Sequence, residues 1–130
     1  MADIKFLVVD DSLTMRRIVV NALKSIGYEQ VIEASDGKEA IGKIVTEAVG
    51  FVITDWNMPE VSGLDLARWI RGNAQYEGTP ILMITTRGNK DDVIEAMKAR
   101  VNNYIVKPFT PQGLKEKIEQ VLKGAEVKTA

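Results

Sequence analysis

Four short apolar runs punctuate the chain: Phe6-Leu7-Val8-Val9, Phe51-Val52-Ile53, Ile81-Leu82-Met83-Ile84 and Tyr104-Ile105-Val106. Each is continuous rather than alternating, the pattern of strands buried on both faces of a parallel sheet. A weaker run at Val31-Ile32 is a fifth candidate. Between the runs, apolar residues recur at the three- and four-residue spacing of one helix face. Met15, Val19, Ala22 and Ile26 form the first such stripe, with Ser12 placed to cap its start and Gly27 to end it. Ala40, Ile41, Ile44, Val45 and Ala48 form the second. Ser62 followed by Asp65 makes a capping-box pair ahead of Leu66, Ala67 and Ile70. Val93, Ile94, Met97 and Val101 mark a fourth helix. Thr110-Pro111 opens the last, which carries Leu114, Ile118, Val121 and Leu122.

Strand followed by helix, repeated five times, predicts an α/β fold: a doubly wound, five-stranded parallel sheet with helices on both faces and right-handed crossovers. The flavodoxin-like strand order 2-1-3-4-5 suits a sheet of this length, although spacing by itself does not fix the order. No repeat or internal linker interrupts the pattern. Residues 1–124 read as one domain and 125–130 as a short flexible tail.

Composition narrows the chemistry. At 130 residues, 45% hydrophobic and 27% charged, the chain can bury one core and stay soluble. A net charge of −1 argues against a general nucleic-acid partner. The absence of cysteine and histidine excludes disulfides, thiolate and Ser-His-Asp catalysis, and any metal held by thiolate or imidazole. A bound metal would need oxygen ligands, which favours magnesium, calcium or manganese. The start of the chain lacks the pattern of a signal peptide, and no apolar run approaches the ~20 residues that span a bilayer. A cytoplasmic monomer without membrane contact is the default expectation.

The residues that follow the strands carry the functional signal. The first run ends in Asp10-Asp11, the second in Thr54-Asp55, the third in Thr85-Thr86 and the fourth in Lys107-Pro108. Ligands of open parallel sheets bind just beyond the carboxyl ends of the strands. Three carboxylates, a hydroxyl and an ammonium should therefore share one rim. Taken singly, such an aspartate is usually a turn or cap residue, and such a lysine is usually solvated. Their occurrence at four strand ends in one chain is what points to a site. Three carboxylates so close repel, and a divalent cation with Lys107 would cancel their formal charge. Few carboxylates plus retained waters suit magnesium. An aspartate beside that ion can attack phosphorus and form an aspartyl phosphate. Lys107 and the Thr85 hydroxyl could then contact the new charge.

These positions together resemble the signature of the receiver domain of two-component response regulators, over nearly the whole chain. The stretches Val8-Val9-Asp10-Asp11-Ser12, Thr14-Met15-Arg16-Arg17-Ile18, Thr54-Asp55-Trp56-Asn57-Met58-Pro59 and Val106-Lys107-Pro108-Phe109-Thr110 are similar to its chemotaxis branch. The resemblance implies that Asp55 is the phosphoryl acceptor. It implies that Asp11 and Asp55 ligate Mg2+ with their carboxylates, Asn57 with its backbone carbonyl and Asp10 largely through water. Lys107 would contact the phosphoryl oxygens, with a cis bond to Pro108, while Thr85 moves toward the phosphoryl group and Tyr104 rotates inward. Trp56, beside the acceptor, would report on the site by fluorescence. The implied donor is a CheA-type histidine kinase or a small phosphodonor such as acetyl phosphate. The implied output is a flagellar motor switch protein of FliM type, bound through a face that includes Lys90, Tyr104, Val106 and Lys117. The protein would assist its own phosphorylation and dephosphorylation without being an enzyme for other substrates.

Arg87 departs from the enteric chemotaxis pattern, which is acidic at that position, and Thr86 is larger than usual. A changed rate of self-dephosphorylation is the expectation, with Asn57 and Arg87 tuning it. Recognition by a CheZ-type phosphatase is consistent with Asn57. A phosphorelay intermediate or phosphate sink, passing the group to another histidine protein, is the alternative within signalling. A magnesium phosphatase is disfavoured because position 57 is Asn rather than a second aspartate. A flavin or nucleotide module is disfavoured by the lack of a glycine-rich loop after the first strand.

Overall fold

Leu7 and Val9 point into one apolar cluster and Phe6 and Val8 into another, which is why the first run has no polar alternation. The computed structural model describes residues 4–86 and 88–129, with side chains as far as Gly124. Its strands are β1 (Phe6–Val9), β2 (Val31–Ala34), β3 (Phe51–Asp55), β4 (Ile81–Thr85) and β5 (Asn103–Val106). Its helices are α1 (Leu13–Ser25), α2 (Gly37–Thr46), α3 (Gly63–Arg71), α4 (Lys90–Lys98) and α5 (Pro111–Thr129). All strand pairs are parallel and the order is β2-β1-β3-β4-β5, as the alternation of elements suggested.

The two clusters are the two layers of the sandwich. One joins Leu7, Val52 and Met83 to α2, α3 and α4 residues such as Ala40, Leu66 and Ala96. The other joins Phe6, Ile53 and Ile84 to Leu23 of α1 and Leu114 and Ile118 of α5. Register then positions the site: Val9 lies beside Thr54, Asp55 beside Ile84, and Thr85 beside Val106. The strands therefore stop at a common level, and the residue at or just after each end emerges on one edge.

Local capping explains where the helices begin. Ser12 accepts from the Met15 N–H, Ser62 and Asp65 form a reciprocal capping box, and Thr110 accepts from the Gly113 N–H. Asp36 and Asn89 cap α2 and α4 in the same way, from polar residues the apolar spacing does not single out. Gly27 takes φ +107 just past α1, a left-handed turn that ends the helix.

Two expectations are corrected. The face of α4 is rotated: Ala96 is fully buried, whereas Ile94 and Met97 are 42% and 43% exposed. Val93 packs beside Ala96 against the core, which leaves Ile94 and Met97 on the outer side of the helix. The second stripe runs too far, because α2 stops at Thr46 and leaves Ala48 beyond it, with Val45 exposed. Helix α5 runs from Pro111 to Thr129, and no proline interrupts it after the first position.

Burial sets a first prediction. Leu66→Ala, at a fully buried position, should cost about 3 kcal/mol in urea unfolding, while Ile94→Ser should stay within about 0.5 kcal/mol. Equal effects at the two positions would contradict the placement of α4.

Candidate functional site

Asp10 follows β1 directly and is buried, and each of its polar groups has a different neighbour. Its N–H donates to the Ala34 carbonyl at 3.2 Å. Its Oδ1 accepts from the Ser12 N–H at 2.9 Å. Its carbonyl accepts from Arg16 Nη1 at 2.8 Å, and its Oδ2 faces Lys107 Nζ at 3.5 Å. Asp11, one residue on, is exposed at the rim.

Asp55 ends β3. Its Oδ1 accepts from the Trp56 N–H at 2.8 Å and from Lys107 Nζ at 3.4 Å. Those two donors fix the plane of the carboxylate. Burial raises the Asp55 pKa above the ordinary aspartate value of 3.8; Lys107 and the Trp56 N–H oppose the rise, and Asp10 adds to it. Lys107 is itself largely buried and bridges Asp10 to Asp55. Its N–H donates to the Thr85 carbonyl at 2.8 Å, which ties the end of β5 to the end of β4. Its bond to Pro108 is cis, as the resemblance implied. Thr85 is fully buried at the end of β4.

Carboxylate oxygens of Asp10, Asp11 and Asp55 lie within 4.8 Å of one another. The donor set is all oxygen and carries more negative charge than Lys107 alone offsets, so it fits a hard divalent cation such as Mg2+. Asn57 is exposed on the loop after Asp55. Arg87 lies outside the described residues.

The residues expected on the output face differ in exposure. Val106 is 42% exposed, Lys90 is exposed at the start of α4, and Lys117 is half-buried on α5. Val106 and Lys117 line an open groove of about 360 Å³ with Pro108, Phe109 and Gln120. Tyr104 is instead buried, its ring edge-on to Trp56 with centroids 6.4 Å apart and planes at 87°. The inward position is thus the one this structure holds, and Trp56, the residue after Asp55, is also buried with its ring against Tyr104.

A family model for the response regulator receiver domain matches residues 6–119. The chain belongs to that family. Among curated relatives, this receiver is 59% identical to chemotaxis protein CheY1 of Helicobacter pylori over 119 residues, 91% of this chain and 96% of that protein. It is 57% identical to the chemotaxis protein CheY homolog of Campylobacter jejuni over 119 residues, 91% of this chain and 92% of that protein. Among solved structures, chemotaxis response regulator CheY4 of Vibrio cholerae is 36% identical with a TM-score of 0.84, covering 91% of this chain and 98% of that one. A putative response regulator of Chloroflexus aurantiacus is 32% identical with a TM-score of 0.86, covering 92% and 97%. Receiver domains generally bind Mg2+, and the acidic cluster of this one is composed accordingly. Among the described residues, no helix is long and apolar enough to cross a membrane.

Sequence reasoning missed two contributors. Arg16 reaches the Asp10 carbonyl, and Gly63 packs against the backbone of Asp55. A basic residue in the first turn of a helix, where a cation is disfavoured, was the available signal for the first. For the second it was a glycine directly after a capping serine.

Proposed function

We propose that this receiver accepts one phosphoryl group on Asp55, in a Mg2+-dependent reaction, from a CheA-type histidine kinase or a small phosphodonor. The observation that carries the reading is the shared rim: the Asp55 carboxylate, gripped by Lys107 and the Trp56 N–H, beside Asp10 and Asp11. Asp55 attacks phosphorus, a P–O bond forms, and the bond to the donor's nitrogen or oxygen breaks. Bound Mg2+ would supply positive charge to the phosphoryl oxygens as that bond changes hands. Asp10, Asp11, Asp55 and the Asn57 carbonyl are its ligand candidates. Lys107 stands where it can follow the charge from carboxylate to phosphoryl oxygen, and Asp55 itself needs no general base because it reacts ionised.

The product places roughly −2 of charge beside Lys107 and Thr85. The Thr85 hydroxyl turning toward it would repack the neighbouring Tyr104 and Trp56. Reversing a 1:99 equilibrium takes ~5.5 kcal/mol, more than one hydrogen bond supplies, so Lys107 must share the load. The names of the relatives support a chemotaxis output: a flagellar switch protein of FliM type, docking at the groove beside Val106 and Lys117. A CheZ-type phosphatase, cytoplasmic location, a monomeric state and turnover limited to its own phosphoryl group complete the reading.

Fluorescence anisotropy with a labelled FliM-type switch segment tests it. Acetyl phosphate and Mg2+ should tighten binding at least tenfold, and binding unaffected by either would contradict the proposal. Proton competition gives a second prediction. Because burial raises the Asp55 pKa, protons displace Mg2+ at a pH above the 3.8 of an ordinary aspartate. Calorimetric Mg2+ titrations should weaken progressively as pH falls toward that value. An affinity constant down to it would contradict the buried position of Asp55.

A further inference from the structure

We infer that Arg16 is a positioning residue for the metal site: its guanidinium, braced by Glu33, holds the Asp10–Asp11 peptide so that both carboxylates face the cation. The inference rests on the magnesium reading above. Arg16 lies in the first turn of α1, yet its side chain is only 14% exposed. It is held at two points. Nε donates to Glu33 Oε1 at 2.8 Å, and Nη1 donates to the Asp10 carbonyl at 2.8 Å. Glu33 belongs to the edge strand β2, where it pairs with Val8, and it also lies 3.7 Å from Arg17 Nε. The arginine thus spans from the sheet edge to the loop between β1 and α1.

The carbonyl it grips is the one that matters for Asp11. A peptide unit is planar, so the Asp10 carbonyl and the Asp11 N–H turn together. Asp10 has burial, Ser12 and Lys107 to hold its carboxylate. Asp11 is exposed, and its carboxylate depends on the direction in which the backbone leaves Asp10. A planar guanidinium donates in two directions at once, which a lysine ammonium at the end of a flexible stem does not reproduce.

Charge alone predicts the opposite of positioning. Arg16 is a cation near a site for a cation, so its removal should tighten Mg2+ binding if electrostatics is all that it contributes. If it positions the ligands, removal should loosen binding, as outer-shell changes do by 10–100-fold. The sign of the change separates the two.

Isothermal titration of Mg2+ into the intact protein, its Arg16→Lys and Arg16→Met variants and Glu33→Ala is the test. Both Arg16 variants should raise the Mg2+ dissociation constant about tenfold or more, with Arg16→Lys failing to rescue although it keeps the charge. Glu33→Ala, which leaves the guanidinium in place but unbraced, should raise it less, and it carries the test if an Arg16 variant does not fold. Unchanged or tighter Mg2+ binding in the folded variants would overturn the inference alone. A parent protein that gives no Mg2+ binding would overturn the site reading and the inference with it.

Discussion

Asp55→Asn should yield a protein that takes up no phosphoryl group and yet, without metal, is more stable than the parent. The first half follows because an amide nitrogen or oxygen does not replace a carboxylate nucleophile. The second follows from the environment of Asp55. Burial, with a smaller contribution from Asp10, holds its pKa above the ordinary aspartate value, so the folded state binds the proton more readily than the unfolded chain does. Stability linked to Asp55 is therefore present at low pH and lost as pH rises through its folded pKa. An asparagine of the same shape removes the buried charge and leaves Lys107 its contact with Asp10. The gain should be of order 1 kcal/mol near neutral pH and should shrink as the pH is lowered through the Asp55 titration. Urea unfolding at several pH values in a chelator measures it. A variant less stable than the parent at neutral pH would contradict this account of the site's electrostatics.

Gly63→Ala should be among the most damaging single-methyl changes in the molecule. Gly63 opens α3, and its N–H donates to the Trp56 carbonyl at 2.8 Å. A Cβ at this position would overlap the Asp55 carbonyl oxygen and come to 3.0 Å from both the Asp55 carbonyl carbon and Trp56 Cα. These are backbone atoms of a buried strand end, so no side chain can swing aside. The cost should be about 3 kcal/mol, at the upper end for overpacking, and phosphoryl uptake should fall because the Asp55 peptide is displaced. Gly42→Ala is the internal contrast: nothing lies within 4 Å of a Cβ there, and the position is inside α2. That change should stabilise by about 0.5–1 kcal/mol. Similar responses at positions 42 and 63 would contradict the close approach of α3 to the end of β3.

The apolar runs made the fold legible because each strand is buried on both faces and nothing polar interrupts it. The charged residues of the rim were legible for a related reason: strand ends in a parallel sheet share an edge, so Asp10, Asp55 and Lys107 come together once the alternation of elements is recognised. The short helices were harder. In α4 Val93 packs with Ala96 against the core while Ile94 and Met97 lie on the outer side, and a helix this short offers too few apolar positions for spacing to decide which face turns in. Tyr104 and Trp56 show the same limit, since their edge-on contact depends on side-chain torsions that spacing does not encode. The contributions of Arg16 and Gly63 were hidden because both act on backbone atoms, one by gripping a carbonyl and the other by leaving room for one.

The central claim is that side chains from separate strands make Asp55 the phosphoryl acceptor. Incubation with acetyl phosphate, with and without Mg2+, followed by intact mass and peptide mapping after reductive trapping, tests it most directly. The account predicts a gain of one phosphoryl group, dependent on Mg2+ and located on Asp55. No gain, a gain independent of the metal, or a phosphoryl group on any other residue would contradict it.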